Sequence, residues 1–287
     1  MANLKEIRTR ITSVKSTRQI TSAMKLVSAA KLRKAQNKVT QLRPYADKLH
    51  FIIGQIGHSL AEDKTFKLIH SRPIEKVLVV IITSNRGLCG AFNANAVKGA
   101  MAFIKENYND KAVDLMCVGR KAADIAKKYP YSIVRKETDI FDALNFEAAS
   151  EMANDLMAEF ENGNYDAVRI VYNSFKNAAN QEVKAESFLP LEMNIDEEQE
   201  LKDYIFEPGK QEIGKELVPK MLKIQFFKAL LDSNAAEHGA RMTAMHQATD
   251  NATDLLHELT LQYNKARQSA ITNEILEITS GAEALNA

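Results

Sequence analysis

The sequence predicts an α/β protein with a long antiparallel α-helical coiled coil, in which a mostly parallel sheet domain is inserted between an N-terminal and a C-terminal helix. Three observations carry this prediction. Residues 211–287 hold an apolar seam whose steps alternate three and four or are multiples of seven. Residues 1–57 hold a second seam of the same kind. Between them, over residues 74–190, strand-like apolar runs alternate with helical stretches, the pattern of a sheet with helices on its faces.

The first helix spans Met1 to about Gly57. Its seam is Leu4, Ile7, Ile11 and Val14, then Leu32, Ala35, Val39, Leu42, Ala46, Leu49, Ile53 and Ile56. In the middle the seam positions turn polar, at Arg18, Thr21, Lys25 and Ser28. There the apolar residues shift to Ile20, Ala23, Met24, Val27 and Ala30. A two-stranded seam has no use for that second face, so it predicts contact with something besides the partner helix. Pro44 removes a backbone donor and predicts a local kink or break. The helix is strongly basic: residues 1–50 carry twelve Lys or Arg against Glu6 and Asp47. Such a face seeks nucleic acid, a membrane surface or an acidic protein wall.

Gly57 to Pro73 reads as a polar surface connector. The predicted strands of the inserted domain are Val77–Thr83, Val113–Val118, Tyr131–Arg135, Val168–Phe175 and Val183–Leu189. Its helices are Asn93–Glu106, Arg120–Tyr129 and Phe146–Glu161. This order predicts a Rossmann-like, mostly parallel sheet. Lys176–Gln181 is too short for a crossover helix, so the last two strands form an antiparallel hairpin at one edge. Residues 191–210 form an acidic connector ending in the turn signal Glu207-Pro208-Gly209.

The C-terminal helix follows, with Leu217, Met221, Ile224, Leu231, Ala235, Met242, Met245, Ala252, Leu256, Leu259, Tyr263, Ala266 and Ala270 in its seam. About 70 residues at 1.5 Å each give a rod of about 105 Å, against about 80 Å for the first helix. A domain of about 150 residues has a radius of gyration near 15 Å. The longer rod therefore overhangs the shorter by about 25 Å. The overhang carries Ile271, Ile275, Leu276, Ile278 and Leu285 on most of its faces. A lone helix is marginal in water, so this tip predicts an enclosing assembly, like a sleeve around an axle.

Composition excludes several classes. The chain is 45% hydrophobic and 26% charged with a net charge of +1, a globular composition. Cys89 and Cys117 cannot build a disulfide framework, and their spacing fits no zinc site. The charged first residues show no secretory signal, and no apolar run reaches membrane-spanning length.

Possible chemical sites are few. Thr83–Asn93 follows the first strand and opens a helix, where an open α/β sheet usually places a ligand. Yet Gly87 and Gly90 match neither the dinucleotide nor the phosphate-loop spacing. A tight turn needing unusual backbone angles fits better, with Cys89 as a small buried residue. His238, Met242 and His246 share a helical face without the carboxylate or thiolate that a metal would need. Arg241, Arg267 and Gln268 read either as a solvated face or as polar contacts across an interface. No nucleophile–base constellation has local support, and the chain reads as catalytically mute. Gly239, inside the helix, costs about 1 kcal/mol against Ala with no sequence-level reason.

The chain resembles the gamma subunit, the central shaft, of F-type ATP synthases. The likeness rests on Lys5-Glu-Ile-Arg8, Ile20-Thr-Ser-Ala-Met24, Arg86-Gly-Leu-Cys-Gly90, Ala240-Arg-Met-Thr-Ala-Met245, Ala248-Thr-Asp-Asn251, Tyr263-Asn-Lys-Ala-Arg-Gln268, Ile271-Thr272 and Ser280-Gly281-Ala282. The resemblance implies a non-catalytic rotor without cofactors, whose coiled coil turns inside a ring of alternating alpha and beta subunits. It implies that the sheet domain meets the epsilon subunit and the membrane c ring. Arg267 and Gln268 match family positions that touch an acidic loop of a beta subunit. Arg241, Met24 and Thr272 match positions tied to coupling efficiency. Tyr204 and Glu207 match contacts with epsilon and the c ring, while Phe206 stands where relatives can carry Tyr. The implied location is the cytoplasmic face of the bacterial plasma (inner) membrane, peripheral, without insertion and without nucleic acid.

Two other classes compete. A coiled-coil nucleic-acid binder would use the basic helix, and its binding would fall steeply with salt, but aromatic interleaving for bases is missing. An α/β enzyme with helical arms would turn over substrate alone and keep its activity without the arms.

Overall fold

The computed structural model describes residues 4–61, 63, 66–141, 144–178, 180–192 and 206–286. In chain order these form α1 (Leu4–Ala61), β1 (Lys76–Ile82), α2 (Phe92–Asn107), β2 (Ala112–Val118), α3 (Arg120–Ala126), β3 (Ser132–Glu137), a 3-10 turn (Asp139–Phe141), α4 (Phe146–Glu161), β4 (Ala167–Phe175), β5 (Gln181–Leu189) and α5 (Lys210–Asn286). The chain divides into two compact units, Met1–Val27 with Met242–Ala287, and Ser28–Arg241.

The larger unit is built on one sheet of order β3-β2-β1-β4-β5. β1, β2, β3 and β4 are parallel, and β5 returns antiparallel beside β4 at the edge, as the short connection requires. β1, Lys-Val-Leu-Val-Val-Ile-Ile, is buried on both faces after its first residue, as a central parallel strand should be. Its alternation divides the core. Val77, Val79 and Ile81 pack with Leu115, Cys117 and the apolar faces of α2 and α3. Leu78, Val80 and Ile82 pack with Met116, Tyr172, Phe188, α4 and the helices α1 and α5. The unit is thus three layers with the sheet in the middle. α4 starts at Asn145, whose side-chain Oδ1 accepts from the Ala148 N–H at 2.9 Å, a standard N-cap.

The starts of β1 and β4 are tied by one carboxylate. Asp166 Oδ2 accepts from the Glu75 and Lys76 amides at 3.0 and 2.9 Å, and Oδ1 accepts from Arg72 Nε at 2.7 Å. Burial works against that charge. The two amides and the guanidinium outweigh it and hold the Asp166 carboxyl below the usual carboxylate range.

Within this unit α1 and α5 run antiparallel. Lys31 lies close enough to Glu237 to act on its charge, and at the other end Leu60 packs against Gly214. Ala46, Leu49, Ile53 and Ile56 meet Val218, Met221, Leu222 and Ile224 in the shared core. α5 buries more than a seam here. Phe226 lies 5.8 Å from Phe188 on the sheet, and Phe227 meets Phe146 edge-on at 5.6 Å. α1 runs four residues past Gly57 and is continuous through Pro44. Pro44 is exposed, so its missing N–H falls on the solvent side, while the core contacts of Ala46 and Leu49 carry the helix across it.

The smaller unit pairs the start of α1 with the end of α5. Its buried residues include Ile7, Met245, Ala252 and Leu259. The polar stretch of the α1 seam remains a seam: Thr21 is buried and its Oγ1 lies 2.9 Å from Thr249 Oγ1. Ile20, Leu26 and Val27, off that seam, are exposed.

Candidate functional site

The sequence points first to the turn after β1, because ligands in open α/β sheets bind beyond the carboxyl ends of the strands. Here that region is filled by the protein's own α5. Ala236 and Ala240 pack on Cys89, Phe92 and Phe175. A Cβ on Gly239 would lie 3.0 Å from the Phe175 ring and 3.4 Å from Ala178 Cα. This close approach gives the interior glycine its reason: α5 is pressed onto the end of the β4–β5 hairpin. Ser174 Oγ adds a hydrogen bond to Asp232 at 2.9 Å.

Arg241 belongs to the same contact. It is not a solvated residue: its side chain is 10% exposed and paired with Glu237, equally buried, at 2.5 Å. Its other amino group, Nη2, donates to the carbonyls of Arg86 and Gly87 at 3.2 and 3.3 Å. Burial pushes the Glu237 carboxyl up, against the pull of Arg241 and Lys31. Neighbouring His238 is driven down to about 4 by burial and by the charges of Arg241 and Lys31, so it is neutral beside the guanidinium at pH 7.

The turn itself is strained at one residue. Leu88 has φ 62° and is 65% exposed, and Gly90 has φ 59°. The left-handed angle therefore falls on a leucine as well as on a glycine; Gly87 is not in that region. Cys89 is buried beneath the turn, where Asn93 Nδ2 donates to its Sγ at 3.1 Å. Burial raises its thiol above the ordinary value, an environment for an inert thiol.

The other residues singled out by sequence lie elsewhere. Met24 is half-buried on α1. Arg267, Gln268 and Thr272 are exposed on α5, and the Thr272 hydroxyl donates to the Gln268 carbonyl at 3.0 Å. Beside them Ile271, Ile275, Leu276 and Ile278 are 45–66% exposed. Glu207 is exposed in the bend before α5, and Tyr204 lies outside the described residues. His246 is exposed and faces Asp250 at 3.2 Å, whereas His238 is half-buried. Among the described residues no cluster of His, Cys, Asp or Glu has the makings of a metal site, and no helix is long and apolar enough to cross a membrane. Sequence reasoning missed Glu237; its spacing of four residues before Arg241 was the available signal.

Both long helices thus carry exposed apolar residues, and the turn after β1 is packed against α5. The ATP synthase family model matches residues 3–285. The chain is 55% identical to the ATP synthase gamma chain of Christiangramia forsetii over the full length of both, and 54% identical to that of Flavobacterium psychrophilum over 99% of both. In fold it is similar to a chain of the Euglena gracilis mitochondrial ATP synthase (OSCP/F1/c-ring), with a TM-score of 0.68 at 23% identity, covering 98% of this chain and 94% of that one. A chain of the Tetrahymena thermophila mitochondrial ATP synthase (central stalk and c ring) gives a TM-score of 0.60 at 24% identity, over 80% and 99%. The chain belongs to the ATP synthase gamma-chain family.

Proposed function

We propose that this chain is the central rotor shaft of an F-type ATP synthase. It is non-catalytic and couples proton flow through the membrane c ring to conformational cycling of the alpha/beta catalytic ring. The observation that carries this reading is the end of α5, where Ile271, Ile275, Leu276 and Ile278 stand exposed beside Arg267, Gln268 and Thr272. An isolated helix gains nothing from such residues, and a surrounding ring of subunits would bury them. Arg267 and Gln268 offer a fork and an amide for an acidic loop of a beta subunit. Exposed Ile20 and Val27 flank Met24 on α1 and supply a second apolar contact with the ring.

Glu207 and Tyr204 face the epsilon subunit and the c ring. The assembly lies on the cytoplasmic face of the bacterial plasma membrane, and this chain is peripheral to it. A shaft whose faces differ favours a different conformation in each beta subunit, so nucleotide affinity follows its angle. The coupling is reciprocal: ATP hydrolysis turning the shaft drives protons backward. The packing of α5 on the turn after β1, where open α/β sheets commonly place a ligand, supports the non-catalytic part.

The test is proton uptake by membrane vesicles carrying the complete synthase, compared with vesicles whose complex holds a chain lacking residues 268–287. The reading expects ATP-driven uptake per ATP hydrolysed to fall sharply in the truncated complex. Equal ratios would refute it.

A further inference from the structure

The contact between α5 and the turn after β1 is built unlike the rest of the interface. Elsewhere α5 meets the sheet unit through apolar side chains and two uncoupled hydrogen bonds, Ser174 Oγ to Asp232 and Gln225 Nε2 to the Ser187 carbonyl. Here a buried ion pair does the holding. Glu237 and Arg241 are each 10% exposed in their side chains, and the guanidinium spans from the carboxylate to two backbone carbonyls of the turn. Those carbonyls belong to Arg86 and Gly87, immediately before left-handed Leu88. A left-handed leucine is unfavourable and persists only where its surroundings over-determine it. The surroundings here are the guanidinium on one side and the Ser84–Asn93–Cys89 hydrogen bonds on the other.

We propose that Glu237 is a positioning residue: by fixing Arg241 it clamps the Arg86–Gly90 turn of the sheet unit onto α5, so that load on the helix is carried into the sheet. The proposal rests on the coupling role given above, since only a load-bearing helix needs such a clamp. A buried charge left without its partner is strongly unfavourable, so the guanidinium cannot simply stay in place when the carboxylate is lost. With Glu237→Gln the guanidinium turns toward water and releases the turn. Cys89 then emerges from beneath it. Cys117, on β2 in the core covered by α2 and α3, remains buried and serves as the internal reference.

The experiment labels the full-length chain, alone and in the complete synthase, with a maleimide and quantifies modified Cys89 and Cys117 by peptide mass. Glu237→Gln is expected to speed Cys89 labelling about tenfold, the signature of local opening, with Cys117 unchanged. Glu237→Asp, which keeps the carboxylate, returns Cys89 toward wild-type protection. In vesicles the Glu237→Gln complex hydrolyses ATP but takes up at most about half as many protons per ATP, and Glu237→Asp restores the ratio. A merely structural residue would lower the amount of assembled complex without changing this ratio. Unchanged Cys89 labelling in Glu237→Gln overturns the clamp. Faster labelling with an unchanged ratio overturns its role in coupling. If the wild-type complex itself fails to couple, the function proposed above falls, while the labelling still decides whether the clamp exists.

Discussion

Leu88 is held at φ 62° by the bonds around the turn while its own side chain is 65% exposed, so burial of that side chain does little to offset the left-handed backbone. Asn tolerates the left-handed region far better, so Leu88→Asn should raise stability by about 1 kcal/mol in urea unfolding. Gly239 predicts the reverse. A side chain there meets Phe175 and Ala178, so Gly239→Val should cost about 1–3 kcal/mol despite the helix's preference for almost any residue over glycine. His238 gives a pH dependence. The unfolded chain takes up its proton near 6.5, the folded chain only at about 4. The unfolded state therefore binds more protons across this window, and stability falls as pH drops from about 6.5 toward 4. His238→Gln should flatten that part of the stability–pH curve relative to wild type. Of these residues the sequence exposed the problem of Gly239 but not its answer. The answer is the approach of Phe175, a contact between residues far apart in the chain. Arg241 was legible as a polar helix residue, whereas its burial depends on where the turn after β1 folds.

At the scale of elements, hydrophobic periodicity was an accurate guide. The heptad seams place α1 and α5, and the lack of room for a crossover places β5 antiparallel at the sheet edge. The short helix after β2 ends at Ala126 rather than at Tyr129, because the chain there tightens into i→i−3 bonds, Lys128 N–H to the Ile125 carbonyl and Tyr129 N–H to the Ala126 carbonyl. The burial of α5 on two faces was hidden, since Phe226 and Leu230 lie off the seam and become core residues only through the sheet. Pro44 predicts a kink or break, but the helix is continuous through it because packing outweighs one missing hydrogen bond. Pro44→Ala should therefore stabilise the chain by about 1–3 kcal/mol in thermal or urea unfolding. The exposed end of α5 makes a further prediction. Beyond about Ile271 the helix has no covering residues of its own among those described, so limited proteolysis of the isolated chain should cut there first. The same segment should resist cleavage in the assembled synthase, and protection in the isolated chain would count against the ring as its cover.

At the scale of the whole molecule two features stand together: α5 packs on the turn after β1, and Ile20, Leu26 and Val27 of α1 and Ile271, Ile275, Leu276 and Ile278 of α5 are exposed. Together with membership of the ATP synthase gamma-chain family, they are the basis for the proposed reading of this chain as a carrier of conformational work. The fold of such a molecule is legible because long seams leave long traces in sequence. Its contacts are less so, because an exposed Arg267 and a buried Arg241 look alike until the chain is folded. The most direct test is ATP hydrolysis, with native mass, by the purified chain, by alpha plus beta subunits, and by all three together. The account predicts that the chain alone is inert, joins the ring at one copy and changes its turnover. Turnover by the chain alone, or a ring that excludes it, would contradict the account.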